Sequence, residues 1–466
     1  MDLLLSISPI DGRYREMCEP LAAFFSVHGL TRYRVTVEVE YLIALSETLD
    51  KVRDFTAEEK KLLRNLVKDF SVADTEVVNA IDVKGYKNIK ATDHDVKAVE
   101  YFLKDRLGNT SLGDSLEWIH FALTSEDVNN LSYGLMLRDG LEQVLLPTLN
   151  SVLGTITKLS EAHRELPMLA RTHGQPASPT TFGKEMANFA ARLSHQISAL
   201  SGLNIPVKLN GATGNYNAHF AAFPSVDWVA FTANFVERFN AGHELLLRPN
   251  LLTTQIEPHD GMAELFDILR RINVILIGFD QDMWRYISDG WLVQKAVEGE
   301  IGSSTMPHKI NPLKFENSEG NLGLANALLG FFSTKLPISR LQRDLSDSTV
   351  ERSFGTAFAH CLLGYLHLLK GLLRVGVDPK KILEELLSHP EVIAEGIQTI
   401  LRRESVPMPY EQLKELTRGR QVTLEDLQEF IRGLPISEVV REELLLLTPK
   451  SYVGLAERLV ARKEMN

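Results

Sequence analysis

One polar turn in this chain carries a histidine that could move a proton. The segment Arg171-Thr-His-Gly-Gln-Pro-Ala177 places His173 between two apolar stretches. Its imidazole could titrate near neutral pH and act as a general acid or base. It could equally cap a helix end ahead of Pro176, so the residue type alone leaves both interpretations open.

A loop rich in glycine and proline carries a second set of reactive groups. Residues 300–312 read EIGSSTMPHKINP and include Ser303, Ser304, Lys309 and Asn311. Such a loop can move, and its backbone amides can face an anion. A serine acts as a base only if its alkoxide is stabilised, which an ammonium group and several amide donors could do. A flexible surface loop is the competing interpretation.

Two further polar clusters stand where helical patterns begin. Asp93, His94 and Asp95 precede one such pattern, and Thr124-Ser125 opens another. Thr92 or Asp93 could simply cap the first helix, and acidic residues in a first turn also fit ordinary capping. Capping explains His94 less easily, and the free amides at the helix start of Thr124-Ser125 would equally suit a carboxylate ligand.

Arginines and hydroxyl groups alternate in a segment further along the chain. Residues 339–352 read SRLQRDLSDSTVER and contain Arg343, Ser348, Thr349 and Arg352. Interleaved guanidinium and hydroxyl groups suit bidentate binding of a phosphate or a carboxylate. Exposed ion pairs with the neighbouring aspartates are an equally ordinary interpretation.

The composition limits the kind of protein that positions these groups. The chain has 466 residues, of which 44% are hydrophobic, and a formal net charge of −11. This length allows a large core in about two to four domains, and the negative charge argues against nucleic-acid binding. Two cysteines provide neither a disulfide framework nor a zinc site. We expect a cytoplasmic protein, because no leader peptide and no membrane-spanning run is apparent.

Helical periodicity predicts the framework. Apolar residues recur every three or four positions over 262–283, and similar patterns cover 116–159, 180–200 and 349–373. Strand signals are sparse, with one possible hairpin arm at Ile205 to Leu209.

These patterns predict an all-α chain of three domains. We expect an N-terminal helical domain at 1–112, a long central helical bundle at 113–364 and a C-terminal helical domain at 365–466. The apolar faces of the bundle predict association with further copies of the chain.

The loop 302–312, GSSTMPHKINP, resembles the G-S-S-x-M-P-x-K-x-N-P signature of the fumarase/aspartase superfamily. The turn THGQPA and the helix start TSEDVNN are similar to two other regions of that superfamily. TDHDVKAVEYFL, NGATGNYNAH and SRLQRDLSDSTVERS resemble its longer bacterial members that act on adenylosuccinate. The similarity is dense over 8–352 and thins beyond. Asp93 departs from it, since asparagine is expected beside the histidine.

This resemblance implies a three-domain fumarase/aspartase-like fold and a homotetramer whose active sites combine segments of three subunits. It also implies a β-elimination that needs no metal and no organic cofactor. The substrates would be adenylosuccinate and its imidazole carboxamide counterpart SAICAR, from which fumarate would leave.

The resemblance also implies a role for each motif residue. Ser303 would be the base, His173 the acid and Glu316 the carboxylate that orients His173. Lys309 and Asn311 would hold the succinyl carboxylates. The full set of implied substrate-binding positions is Arg13, Tyr14, Asp93, His94, Asp95, Thr124, Ser125, Gln255, Ser304, Lys309, Asn311, Arg343, Ser348, Thr349 and Arg352.

Two alternatives stay open at this point. Another lyase of the superfamily, such as one for argininosuccinate or malate, would share the loop, although the arginine-rich segment 339–352 favours a phosphate-bearing substrate. A catalytically silent scaffold protein would be expected to lack Ser303, His173 or Lys309, and all three are present.

Overall fold

Helices dominate the computed structural model, which describes residues 3–295, 306, 309–417 and 422–461. Within these residues the α-helices are α1 (Arg15–Phe25), α2 (Val27–Thr48), α3 (Ala57–Lys68), α4 (Val72–Val83), α5 (Asp95–Leu107), α6 (Ser125–Gly140), α7 (Leu146–Ala162), α8 (Phe182–Ser201), α9 (Asn217–Ala222), α10 (Trp228–Glu237), α11 (Asp260–Ser288), α12 (Leu313–Lys335), α13 (Ser346–Glu351), α14 (Phe354–Leu372), α15 (Pro379–Leu387), α16 (Ala394–Arg403), α17 (Pro409–Thr417), α18 (Leu424–Arg432), α19 (Glu438–Leu445) and α20 (Ala456–Ala461). None of these helices is long and apolar enough to cross a lipid bilayer. The predicted all-α class is confirmed.

Short strands form three two-stranded sheets in the described part of the chain. The strands are β1 (Pro167–Thr172), β2 (Gln175–Thr181), β3 (Asn204–Val207), β4 (Leu246–Pro249), β5 (Leu292–Gln294) and β6 (Val375–Val377). β1 pairs with β2 and β5 with β6 in antiparallel fashion, whereas β3 and β4 are parallel. The predicted hairpin arm at Ile205 to Leu209 is therefore wrong. A parallel pair needs a long crossover connection, and α9 and α10 provide it.

The chain divides into two compact units. Unit 1 comprises 1–149, 196–274 and 320–366, and unit 2 comprises 150–195, 275–319 and 367–466. The three domains with boundaries after residues 112 and 364 stay a prediction.

In unit 1, α2 runs through the core. Apolar side chains stand on most of its sides, which is typical of a buried helix, and α2 packs against α6. Gly134 lets α6 approach β3 closely, because a Cβ atom there would lie 2.8 Å from Cγ1 of Val207. Arg34 and Glu38 are also buried in α2. Charged groups in such a position need partners, and the partners of Arg34 belong to the candidate active site.

In unit 2, the C-terminal helices have a core of their own. Leucine and isoleucine side chains of α15, α16, α18 and α19 meet there, among them Leu386, Ile397, Leu401, Leu427 and Leu444. Each of these helices is apolar on one face, so burial of those faces against one another accounts for their association.

Candidate active site

A cavity of about 410 Å³ lies within unit 1. The cavity is polar, because charged and hydroxyl side chains reach it from α2, from the starts of α5 and α6, and from the segment around α13. The predicted substrate-binding residues that line it are Asp93, His94, Asp95, Ser125, Arg343, Ser348 and Arg352. Segments that are far apart in sequence thus meet at one place within a single chain.

Asp95 joins two arginines at the cavity wall. Its Oδ2 atom lies 2.8 Å from Nη2 of Arg352 and 2.8 Å from Nη2 of Arg34. Burial alone would raise the pKa of Asp95, but the two guanidinium groups hold that pKa below its usual value. The carboxylate therefore fixes both arginines beside the cavity.

Arg34 lines the same cavity and is absent from the residues implied by the sequence resemblance. Its side chain is 5% exposed, and its Nε donates a hydrogen bond of 2.9 Å to Oδ1 of Asn129. Charged residues inside the largely apolar pattern of α2, Arg34 among them, were the available signal. Its partner Asp95 lies in another helix, so the pattern alone could not reveal the contact.

The start of α5 gives the cavity its acidic side. His94 is the N-cap of α5, and its Nδ1 accepts a hydrogen bond of 3.3 Å from the backbone N–H of Lys97. Capping by Thr92 or Asp93 is therefore wrong. Asp93 has a φ of +47°, and its N–H donates to the carbonyl of Asp82 at 2.9 Å. Aspartate is among the non-glycine residues that tolerate this left-handed backbone, so Asp93 fits the turn.

Asp127 fixes the start of α6. Its carboxylate accepts hydrogen bonds from the backbone N–H of Thr124 at 2.9 Å and from that of Asn210 at 3.0 Å. Lys208 donates to it at 2.6 Å, and both side chains of this ion pair are fully buried. Ordinary capping by an acidic residue of the first turn is thus confirmed for this helix start. Ser125 is consequently held at the cavity by a helix start that is tied to the loop after β3.

Arg343 lines the cavity and contacts Gln255 and Glu126, which are not among the described lining residues. Nη1 of Arg343 donates to Oε1 of Gln255 at 3.3 Å, and Nη2 lies 3.0 Å from Oε2 of Glu126. Gln255 also donates through Nε2 to the carbonyl of Ala212 at 3.1 Å. Glu126 looked like an ordinary first-turn acid in the sequence, yet its side chain is buried and faces Arg343.

His173 lies at the tip of the β1–β2 hairpin in unit 2. It is exposed, and Thr172 pairs with Gln175 across the turn. His173 and Gly174 both have left-handed backbone, with φ of 55° and 74°. Two such residues in succession form the tight turns that suit a two-residue hairpin loop. The helix-capping interpretation of His173 is wrong, since strands flank it.

Glu316, which is also predicted to be catalytic, is in unit 2 as well. Glu316 stands in the first turn of α12 and accepts a hydrogen bond of 3.1 Å from Nε1 of Trp284. No hydrogen bond or ion pair joins it to His173 among the described residues of one chain. Lys309 is exposed and Asn311 half-buried ahead of the helix. Ser303 and Ser304 lie outside the described residues.

Seven predicted binding residues that the structure describes are not among those that line the cavity: Arg13, Tyr14, Thr124, Gln255, Lys309, Asn311 and Thr349. Tyr14 is the N-cap of α1, and the guanidinium carbon of Arg13 lies 5.9 Å from the centre of its ring. Thr124 is the N-cap of α6, and Thr349 is exposed on α13. Half of the predicted binding residues that the structure describes thus line the cavity of unit 1, and half do not.

Comparison with known proteins gives matches along almost the whole chain. A family model described as a lyase matches residues 12–327, and one described as adenylosuccinate lyase C-terminal matches residues 339–453. The chain is 48% identical over 460 residues to adenylosuccinate lyase of Legionella pneumophila (strain Corby), with 98% of each chain covered. It is 47% identical over 460 residues to adenylosuccinate lyase of Escherichia coli (strain K12), again with 98% covered.

Solved structures share the architecture at much lower identity. Fumarate lyase from Mesorhizobium sp. BNC1 has a TM-score of 0.72 at 18% identity, with 95% of this chain and 96% of that chain covered. The 3-carboxy-cis,cis-muconate lactonizing enzyme from Pseudomonas putida has a TM-score of 0.70 at 19% identity, with the same coverage. These similarities concern the fold, and they confirm the fumarase/aspartase-like architecture.

Proposed function

Because the chain belongs to the adenylosuccinate lyase family, we propose that it splits adenylosuccinate into AMP and fumarate, and SAICAR into AICAR and fumarate. The full-length match to relatives of that name carries this proposal. The cavity of unit 1 supports it as well, because arginine and hydroxyl groups suit the phosphate that both substrates bear.

The proposed reaction is a β-elimination by a general base and a general acid. Ser303 takes the proton from the carbon next to a succinyl carboxylate, and the negative charge spreads into that carboxylate as an aci-form. The C–N bond then breaks, fumarate forms, and His173 gives a proton to the departing nitrogen. Glu316 orients the imidazole of His173, as a third group orients the acid or base in other sites.

Donors around the succinyl group decide how well the carbanion is stabilised. We assign this role to Lys309 and Asn311, with hydroxyl or amide groups from Thr124, Ser125 and Ser304. The helix start at Ser125 supports the assignment, since the first amides of a helix favour a carboxylate.

The opposite end of the substrate carries the phosphate and ribose. We assign it to Arg343, Ser348 and Arg352 at the cavity, together with Arg13, Tyr14 and Thr349. Gln255 contacts the middle of the substrate, and His94 serves the phosphate or carboxamide side. Asp95 holds Arg352 and Arg34, whereas Asp93 adds a carboxylate where asparagine was expected.

We further propose a cytoplasmic homotetramer in which different subunits contribute to each site. Exposed apolar side chains on α11 and α12 support association, among them Val274, Trp284, Leu324 and Phe331. The two cysteines are free and buried, in keeping with a reducing compartment. We propose neither a nucleic-acid nor a membrane partner.

The test of the reaction is ultraviolet absorbance of the purified enzyme with adenylosuccinate, argininosuccinate or malate. We expect the spectrum to change with adenylosuccinate alone. Turnover of either other compound without turnover of adenylosuccinate would overturn the proposal.

A further inference from the structure

A group of charged side chains is buried behind the cavity in unit 1. Glu126 comes from α6, His259 precedes α11, and Glu351 ends α13. One side-chain nitrogen or oxygen atom from each of the three lies within 4.8 Å of those of the other two, and all three residues are buried. Three separate elements thus bring ionisable groups to one point of the core, where each needs a partner.

Arg343 connects this group to the cavity. His259 Nε2 lies 3.3 Å from Oε1 of Glu351, and Arg343 Nη2 lies 3.0 Å from Oε2 of Glu126. Asp347 adds a second carboxylate, 3.7 Å from Nε of Arg343. Of these residues only Arg343 also lines the cavity within the described part of the chain.

The Arg343 guanidinium is held along several of its edges. Carboxyl oxygens of Glu126 and Asp347 lie 3.0 and 3.7 Å from it, and its third contact is the hydrogen bond to Gln255. A guanidinium is planar, so contacts in different directions fix its orientation as well as its place. A cation fixed in this way loses little freedom when an anion binds.

The charges of the group balance only if it retains a proton. Three carboxyl groups, those of Glu126, Asp347 and Glu351, face the cations Arg343 and His259. Full ionisation would leave one uncompensated negative charge in the core, which is costly.

The proton is expected to sit on Glu126. Burial, and then the nearby Glu351, raise the pKa of Glu126 to about 8. Burial would lower the pKa of His259, but its pairing with Glu351 and the nearby Glu126 and Glu257 raise it to about 8. The charged and titratable groups that face Glu126 and His259 are Arg343, Asp347, Glu351, Glu257 and, along α6, Tyr133.

We propose that Glu126, His259 and Glu351 form a positioning group that holds Arg343 at the cavity to receive the phosphate of the substrate. The inference rests on the proposed function and deepens it. Glu126 follows Ser125, so one helix start supplies both a cavity hydroxyl and the anchor of the phosphate-binding arginine.

The first test compares Glu126→Ala with Glu126→Gln at pH 7. Glu126→Ala removes the carboxyl group that lies 3.0 Å from Nη2 of Arg343, and we expect KM for adenylosuccinate to rise about tenfold while kcat stays within about twofold. Glu126→Gln keeps the shape, an oxygen that can face Arg343 and the neutral state, so KM is expected within about twofold of wild type. Glu142→Ala is the matched control, since it removes another carboxylate paired with a histidine, at 2.6 Å, away from the described cavity lining.

The second measurement does not depend on the alanine variant folding. Above pH 8, Glu126 loses its proton and places a negative charge behind Arg343, so the wild-type KM is expected to rise several-fold between about pH 7 and 9. Glu126→Gln cannot lose that proton, and its KM should rise less. Identical pH profiles for the two enzymes would overturn the proposal, as would a folded Glu126→Ala enzyme with unchanged KM.

The failure of this inference is separable from failure of the proposed function. If wild type turns over adenylosuccinate and the variants behave alike, the positioning group alone is refuted. If wild type shows no turnover, calorimetric binding of AMP decides instead. About tenfold weaker AMP binding by Glu126→Ala then supports the positioning group, and equal or absent binding overturns it.

Discussion

The carboxylate of Asp95 lies 2.8 Å from the guanidinium of Arg352, although 257 positions separate the two residues in the chain. Both come from segments that the sequence singles out, and neither segment indicates that it meets the other. The same carboxylate also binds Arg34. One side chain therefore determines where two arginines face the cavity, and it is the natural first target for substitution.

Asp95→Asn should weaken substrate binding more than it slows the reaction. The amide keeps the shape but cannot balance two guanidinium groups, so Arg34 and Arg352 lose their common anchor. We expect KM for adenylosuccinate to rise about five- to tenfold, with a small effect on kcat. Steady-state kinetics checks this, and an unchanged KM would remove Asp95 from the substrate-binding set.

The same substitution should alter the response of stability to acid. In the folded protein the pKa of Asp95 is below its ordinary value because of its two arginine partners. The stability that Asp95 contributes is therefore fully present at a pH above the pKa that it has in the unfolded chain. That contribution is lost as pH falls from about 5 to about 3. The urea midpoint of wild type should therefore fall more steeply over this range than that of Asp95→Asn. If the urea midpoints of the two proteins fall in parallel over this pH range, Asp95 is not charge-paired.

Arg34→Ala should destabilise the protein, because Asp95 and Asn129 lose a buried partner. We expect the free energy of unfolding to fall by about 2–4 kcal/mol. Arg64→Ala is the control, since Arg64 also pairs with a carboxylate, Glu40, but its side chain is 55% exposed. The control should change stability by less than about 1 kcal/mol. Equal losses in the two variants would contradict a special role for Arg34.

Ser303→Ala and His173→Ala should each abolish turnover of adenylosuccinate and leave the assembly unchanged. Each removes a group that we propose to move a proton, and His173 stands on an exposed hairpin turn, so its loss leaves no cavity in the core. Activity assays with size-exclusion chromatography test both variants. Near-normal turnover by Ser303→Ala would transfer the role of base to Ser304.

Lys208→Met should be strongly destabilising. It removes the cation from a fully buried carboxylate, Asp127, and a loss of about 3–5 kcal/mol is expected. Lys87→Met provides the comparison, because Lys87 pairs with Asp105 at the surface with 56% of its side chain exposed. Thermal unfolding of both variants gives the difference, and a melting temperature of Lys208→Met close to that of Lys87→Met would be evidence against the buried pair's importance.

The sequence predicts the helical framework well, because apolar periodicity reports directly on which faces are buried. It also locates the motif segments around Asp95, Ser125 and Arg343, whose polar character is visible against apolar helices. The full-length relatives then confirm the family that these motifs indicate.

The sequence does not reveal which residues that are far apart in the chain contact each other in the fold. Arg34 is one of several charged residues in a helix that also carries Arg32 and Glu38, and Glu126 is one acid in a helix start that already contains a capping residue. The strand at Ile205 gave a hairpin prediction for the same reason, since a short apolar run cannot show that its partner β4 lies beyond two helices.

The bond between Lys208 and Asp127 spans 81 positions, and it has a consequence for how the chain acquires its shape. During synthesis, the segment that begins at Ser125 emerges long before its cation does. Until residue 208 follows, the carboxylate of Asp127 has no counter-charge and remains in water rather than in the core. This end of the helix should therefore become ordered late, and its protection from hydrogen exchange should lag behind that of the middle of α6.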